Sequence, residues 1–496
     1  MNQALPRICI IGAGSSGIAA CRNFRAHGLP HVCYEAADRI GGMWAFKNNI
    51  AYNGKSSAYR SLHINTSPAQ MAFRDFPMPA DYPDFPGHAQ VAAYFESFVD
   101  HFGLRDAIRL GVAVTRCERL AAGGWQVSLS DGSTEHFDAL VVANGHHWDP
   151  RWPNPPLPGH FDGIQMHAHD YVDPAEPHDL RGKRVVVLGM GNSAMDIASE
   201  LGHKENAEKV FLSVRTGTYI LPKYFFGKIV YDSLLRHPSD PPGWVERLAW
   251  SLPDAVFDKL LYPLATLALN LLAGNPQRYG LPRPKGWFGQ QHPTISSEIH
   301  IRMGSGDVLP KPTIAELQGD RVRFADGSME AVDAIIYATG YQIRFPFLDE
   351  RLISAPDNDI ALYQRMLDPR YPDLLFLGLV QPFCAMMPIA DEQSRWMAAY
   401  LTGQYHPPAP EEMARRMQAE HTRTKRRFVA SPRHTIQINC QEYTYRLGRD
   451  LQEGRRRAQA AGNALPVAQS LAATAPLTSH PSAEPLLEET APTCYT

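Results

Sequence analysis

No stretch of this chain reaches the roughly 20 consecutive apolar residues that a membrane-spanning helix needs. The nearest, 260–273, is too short and carries Pro263. No secretory pattern opens the sequence, because the apolar run at 8–11 leads straight into a glycine turn and reads as a first strand. Asn65-Thr66-Ser67 is therefore not read as a glycosylation site. Nor is there a charge bias: 48 Lys and Arg face 51 Asp and Glu, a net charge of −3. That argues against a nucleic-acid partner and against a charged interaction tail. The seven cysteines (9, 21, 33, 117, 384, 440, 494) include no C-x-x-C pair. Their odd number and scattered spacing argue against a disulfide framework, a metal site and a dithiol redox centre. A reducing, cytoplasmic setting is expected.

What is present is a glycine fingerprint, twice. Gly12-Ala-Gly14-Ser15-Ser16-Gly17 follows Ile8-Cys-Ile-Ile11, and Gly189-Met-Gly191-Asn192-Ser193-Ala194 follows Val185-Val-Val-Leu188. Each sits where a buried strand should turn into a helix. Glycines there let a backbone approach a pyrophosphate, held at the positive end of the following helix. Two such turns predict two dinucleotides in one chain.

A second repeat extends the first. Residues 126–145 (QVSLSDGSTEHFDALVVANG) and 321–340 (RVRFADGSMEAVDAIIYATG) share an Asp-Gly turn followed, at the same offset, by Ala-x-Gly. Each predicts a hairpin and then a strand that rejoins a parallel sheet. The expected fold is α/β with two Rossmann-like dinucleotide-binding domains, the second inserted into the first. A Pro-rich linker at 150–158 separates them. The expected spans are 1–155 and 341–458 for the first domain and 156–340 for the second. A mostly helical insertion is expected at 222–295, and a disordered Ala/Pro/Ser/Thr-rich tail at 459–496.

The ends of the second strands differ in charge. His31-Val-Cys-Tyr34 ends in Glu35, an acceptor for a ribose diol. Val210-Phe-Leu-Ser-Val214 ends in Arg215-Thr216, where a cation suits a 2′-phosphate. The first site is therefore assigned to a dinucleotide with a free ribose and the second to NADPH. Gly41-Gly42-Met43-Trp44 follows Glu35, with small residues that let a second segment close on the first cofactor. Trp44 has two readings, a cover for the cofactor ring or plain core packing.

Phe161-x-Gly163-x-x-x-His167-x-x-x-Tyr171 lies between the two units. With it the chain resembles the flavin-containing monooxygenases, class B enzymes that use FAD and NADPH. The likeness runs from Arg7 to about Leu451. It includes GAGSSG, Glu35, GGMW, Asn65-Thr66-Ser67, DFPMPADYPDF, GMGNSAMD, ATGY, FPFL, QPFCAMMPI and RHTIQIN. The resemblance implies FAD at Gly12, Gly14, Ser15, Ser16, Gly17, Glu35, Gly42, Met43, Trp44, Asn65 and Thr66. It implies NADP at Gly189, Gly191, Asn192, Ser193, Ala194, Asp196, Arg215 and Thr216. His167 takes a structural or gating role at the domain junction. Asn65 becomes the residue nearest the chemistry, because its uncharged amide can hold flavin and nicotinamide without delivering a proton. Sequence alone favours reading Asn65 as an Asx-turn residue before Pro68, and the resemblance reverses that preference.

The implied reaction is NADPH-dependent formation of a peroxyflavin, which gives one oxygen atom to a soft nucleophile, an amine or a sulfide. Dioxygen and a small organic substrate are the partners, no metal is needed, and contact with a membrane surface and a homodimer are both allowed. Baeyer–Villiger oxidation of ketones is the main rival, although that class usually ends the fingerprint in Trp with Pro or Asp, where this chain has Tyr171-Val172. An NADPH oxidase and a non-catalytic flavoprotein scaffold are the others. A two-nucleotide disulfide reductase would need a cysteine pair beside the flavin.

Overall fold

The computed structural model describes residues 4–46 and 56–463. Two five-stranded parallel sheets organise it. In the first, strand Ile8–Ile11 lies between His31–Glu35 and Ala139–Val142. Ile108–Leu110 flanks one side and Leu374–Phe376 the other. In the second, Arg184–Leu188 lies between Lys209–Ser213 and Ala334–Tyr337, flanked by Val308–Lys311 and Ile164–His167. The chain thus leaves the first sheet after Val142, builds the whole second sheet, and returns at Leu374.

Both central strands are covered on two faces, which is why they read as unbroken apolar runs. Ile8 and Ile10 enter one core while Cys9 and Ile11 enter another. Val185 and Val187 likewise part from Val186 and Leu188. The Asp-Gly hairpins form as expected. Trp125–Leu129 pairs antiparallel with Thr134–Phe137, and Arg321–Phe324 with Met329–Ala331. In both turns an Asp carboxylate accepts from the Ser two residues on, Asp131 from Ser133 and Asp326 from Ser328.

The span 222–295 carries helices at Val230–Leu234, Trp244–Ser251 and Tyr262–Ala273, separated by stretches of turn and irregular chain. Pro263 sits in the first turn of the last of these, where a missing N–H costs nothing. This region leaves Trp244 72% and Leu271 78% exposed. Among the described residues no helix is long and apolar enough to cross a membrane. Helix Cys440–Ala460 takes in the first two residues of the tail expected at 459–496. Residues 464–496 lie outside the described ones.

One expectation is corrected. Cys384 and Cys440 are joined in a disulfide, with Cα atoms 6.2 Å apart. Sequence spacing gives no hint of it across 56 residues. The cause is a parallel bridge in which Pro382 pairs with Ile438, so residues two further along each strand face one another. The bond ties the segment before helix Met386–Leu401 to the first residue of helix Cys440–Ala460.

Those two helices also share a buried acid. The Asp450 carboxylate accepts from Tyr363 Oη (2.6 Å), Tyr405 Oη (2.6 Å) and Trp396 Nε1 (3.0 Å). Helix Met386–Leu401 in turn carries the first turn's helix. Asn23 Nδ2 donates to Asp391 Oδ1 (2.8 Å) and to Ser394 Oγ (2.7 Å). Asp450→Ala strands three buried donors and should lower stability by about 3 kcal/mol or more. Asp450→Asn, which keeps a carbonyl acceptor, should cost less. Urea denaturation of the two variants checks the order, and equal losses would mean that a single amide carbonyl cannot replace the carboxylate toward these donors.

Candidate active-site cleft

The two turns are built alike. Gly12 has φ +105°, and a Cβ there would meet the Ala143 carbonyl oxygen at 2.7 Å. Gly189 has φ +146°, and a Cβ there would collide with the Ala338 carbonyl. Each turn is therefore pressed against the Ala-x-Gly end of its neighbouring strand, and only glycine permits it. Helices Ser15–Ala26 and Asn192–Leu201 begin directly after Gly14 and Gly191. No side chain caps either start, so both present free N–H groups to an anion. Gly42 leans on the first turn, where a Cβ would lie 3.1 Å from Gly14 Cα. Trp44 packs against the first core, and Met43 is exposed.

Glu35 does more than wait for a ribose. Its Oε2 accepts from Ala13 N (2.7 Å) and its Oε1 from Ala37 N (2.9 Å). The acid thus fixes the glycine turn itself. Burial raises its pKa, and these backbone bonds oppose the rise. At the matching strand end Arg215 is exposed. No carboxylate pairs with it among the described residues.

Asn65 holds the clearest unmet group. Its Oδ1 is buried and finds no hydrogen-bond partner among the described residues. An Asx turn would have used that oxygen, and here Ser67 caps the next helix instead, accepting from Gln70 N. Thr66 is buried beside it. Lys223 reaches the same segment. Its ammonium donates to His63 Nε2 and lies 3.5 Å from the Ile64 carbonyl. Burial lowers its pKa to about 8, against the pull of Asp196.

Other predicted residues have structural partners. Asn192 Oδ1 accepts from Ile295 N (2.9 Å), bracing the second turn against the insertion. Ala194 is fully buried. Asp196 is engaged by Tyr59, whose hydroxyl donates to it at 2.5 Å. This buried bond joins the first unit to the second unit's helix. Tyr171 Oη donates to Glu200 (2.8 Å), and its ring lies against Tyr59. Gly163 is required because a Cβ would strike the Phe161 ring at 2.7 Å. His167 is buried, accepts from His169 N, and packs on Tyr341. The Phe-Gly-His-Tyr fingerprint is thus a packed strap at the junction.

Sequence reasoning missed a cluster beside the second turn. Arg433 Nη1 would lie 3.8 Å from a Cβ on Gly191. His147 and His292 both feel its charge, and Gln381 bonds to His146 and His147. His147 follows the first sheet's Ala-x-Gly end, so the cluster sits where the two units meet. The only earlier signal for Arg433 was its place in the RHTIQIN run.

Two parallel sheets, each leading through a glycine turn into a helix, define an α/β protein with two Rossmann-like domains. A model of the flavin-binding monooxygenase-like family matches residues 5–451. Flavin-containing monooxygenase 5 of Rattus norvegicus is 34% identical, over 88% of this chain and 80% of its own. Dimethylaniline monooxygenase [N-oxide-forming] 2 of Cavia porcellus is 31% identical over 88% and 81%. Among solved structures, the S-allyl-L-cysteine S-oxygenase of Allium sativum superposes with a TM-score of 0.65 at 24% identity, covering 95% and 94%. An open cyclohexanone monooxygenase gives 0.66 at 19% identity, covering 92% and 99%. The chain belongs to the flavin-binding monooxygenase family. It is a flavin-dependent monooxygenase.

The junction histidines make a pH prediction. Burial lowers the His146 pKa from 6.5 to about 4 and pushes His147 well below its ordinary value. The unfolded chain takes up these protons near 6.5, and the folded one resists until far lower. Stability should therefore fall as pH drops from 6.5 toward 4. His146→Gln should flatten that slope in urea titrations at several pH values. An unchanged slope would show that other groups set it.

Proposed function

We propose that this enzyme uses FAD and NADPH to place one atom of dioxygen on a soft nitrogen or sulfur nucleophile of a small organic substrate. Segments 1–155 and 341–458 bind FAD in this reading, and 156–340 binds NADPH. The observation that carries it is the contrast at the two strand ends: a gripped carboxylate at Glu35 and an unpaired guanidinium at Arg215. The residues fit both groups. The uncapped helix starts suit two pyrophosphates, and no Cβ stands in the way at Gly12, Gly14, Gly189 or Gly191.

When bound, the reduced flavin supplies the electrons and the oxygen activation, which no side chain here can provide. The chain's own residues bind, orient and shield. Gly12, Gly14, Ser15, Ser16 and Gly17 receive one pyrophosphate, and Glu35 keeps lone pairs for the ribose while holding Ala13. Gly42 and Thr66 close on the same cofactor, and Trp44 backs it from the core. Gly189, Gly191, Asn192 and Ser193 receive the other pyrophosphate. Arg215 and Thr216 take the 2′-phosphate. Asn65 offers its orphaned carbonyl oxygen and its amide N–H groups to the ring systems without releasing a proton. Neutral His146 and His147 add no acid at the junction.

The names of two similar proteins support heteroatom oxygenation, one forming N-oxides and one oxygenating sulfur. The cyclohexanone monooxygenases share the fold, so ketone oxidation is the outcome to exclude. A matched sulfide and cyclic ketone, each given with NADPH in air, should yield sulfoxide in large excess over lactone. Lactone as the main product would overturn the assignment.

Two variants test the residues. Arg215→Ala should weaken NADPH use by about 30-fold, the effect of losing a charge-assisted phosphate contact of about 2 kcal/mol. NADH use should change little, and equal effects would remove Arg215 from the phosphate. Asn65→Ala should keep FAD bound and raise the share of NADPH electrons lost to hydrogen peroxide. Unchanged coupling would return Asn65 to a purely structural role.

A further inference from the structure

We infer that Arg433 is a pyrophosphate clamp, reaching from the C-terminal part of the first unit to close on the pyridine dinucleotide at the second unit's glycine turn. The inference rests on the NADPH reading above and adds a residue to it.

Arg433 stands where positive charge accumulates without an answer. Its guanidinium lies against Gly191, the residue before helix Asn192–Leu201. That helix start has no capping side chain and carries the positive end of the helix dipole. Among the described residues no Asp or Glu pairs with Arg433. Its side chain keeps access to solvent, and desolvation by the atoms packed around it lowers its pKa to about 10, so it remains a cation at neutral pH. The groups around it are imidazoles and an amide: His147, His292, His434 and Gln381.

The imidazoles are held neutral. Burial is the main cause for all three, and the charge of Arg433 adds to it. His434 Nδ1 donates to the Val429 carbonyl (2.8 Å), which leaves Nε2 to accept from His292 N (3.3 Å). His292 is only 7% exposed, yet its Nδ1 has no partner among the described residues. An unpaired cation, an uncapped helix start and an unused imidazole nitrogen meet at one place. Their shared complement is an anion with several acceptor oxygens. A pyrophosphate seated on the Gly189–Gly191 turn supplies it.

The backbone holds Arg433 for this task. Gln381 N donates to the Ile436 carbonyl on the first unit's side (2.8 Å). Val429 N donates to the Gln290 carbonyl on the insertion (2.8 Å). The segment therefore spans both units, and a dinucleotide gripped by Arg433 would tie them together. Arg215 and Arg433 then divide the work. Arg215 selects NADP over NAD through the 2′-phosphate, while Arg433 binds the pyrophosphate common to both.

That division sets the test. NADP+ and NAD+ binding to purified, FAD-loaded protein is measured by calorimetry for wild type, Arg433→Gln, Arg433→Lys and Arg215→Ala. Arg433→Gln should weaken both dinucleotides by a similar factor, on the order of 10- to 100-fold, the usual size of a lost charged hydrogen bond. Arg433→Lys should recover part of that loss. Flavin content should stay at the wild-type level, which shows that the fold is intact. Unchanged binding of both dinucleotides by Arg433→Gln would overturn the clamp. A loss confined to NADP+ would also overturn it, by placing Arg433 at the 2′-phosphate. If wild type itself binds neither dinucleotide, the NADPH reading fails and the clamp fails with it. If Arg215→Ala loses NADP+ selectively while Arg433→Gln matches wild type, only the clamp fails.

Discussion

A carbonyl oxygen 2.7 Å from where a side chain on Gly12 would begin constrains the whole first half of this protein. It fixes the turn against the end of strand Ala139–Val142 and aims the following helix. It also leaves the N–H groups at the start of that helix without a side-chain cap. The same approach recurs between Gly189 and Ala338. Everything chemical depends on these two tight passages. In the proposed reading the cofactors sit where backbone meets backbone, at the turns 12–17 and 189–194. Glu35 strengthens the first passage by holding Ala13. Thr294 and Asn192 strengthen the second, where Thr294 Oγ1 donates to the Met190 carbonyl and Asn192 accepts from Ile295.

Polar contacts join the two units at several places. Tyr59 of the first unit donates to Asp196 of the second, and within the second unit Tyr171 donates to Glu200. Burial raises the pKa of both acids, with the tyrosine bonds opposing the rise. Breaking such a bond leaves an acceptor unmet, and Tyr59 also packs into the second unit's core, so side-chain packing joins the two as well. The fingerprint strap, with His167 packed on Tyr341, lies across this seam. A reaction that must keep water from two cofactors at once benefits from a seam with one preferred geometry.

The parts legible in the sequence are those set by local rules. The apolar runs, the glycine turns and the Asp-Gly hairpins follow from period and φ requirements within about 20 residues. The order of repeats also pointed to a second sheet built between two parts of the first. What was not legible depends on distant partners. Asp196 reads as a cofactor residue within its motif, yet Tyr59, 137 residues away, takes its carboxylate. The Cys384–Cys440 bond follows from a bridge between two short strands that carry no pattern of their own. Asp450 looks like one more charge on a basic helix until Tyr363, Tyr405 and Trp396 converge on it. For Asn65, sequence left two readings open. The unmet Oδ1 removes the turn reading and leaves an acceptor awaiting a partner.

Family membership makes the chain a flavin-dependent monooxygenase, and the contribution proposed for its residues is two anion cradles and a charge contrast that sorts the cofactors. The most direct test is the fate of isotopically labelled dioxygen. FAD-loaded enzyme, NADPH and a simple sulfide are combined under 18O2, and product label is compared with NADPH consumed. One labelled oxygen atom in the sulfoxide per NADPH is the predicted result. Oxygen drawn from water, or electrons recovered wholly as hydrogen peroxide with the sulfide untouched, would contradict the account.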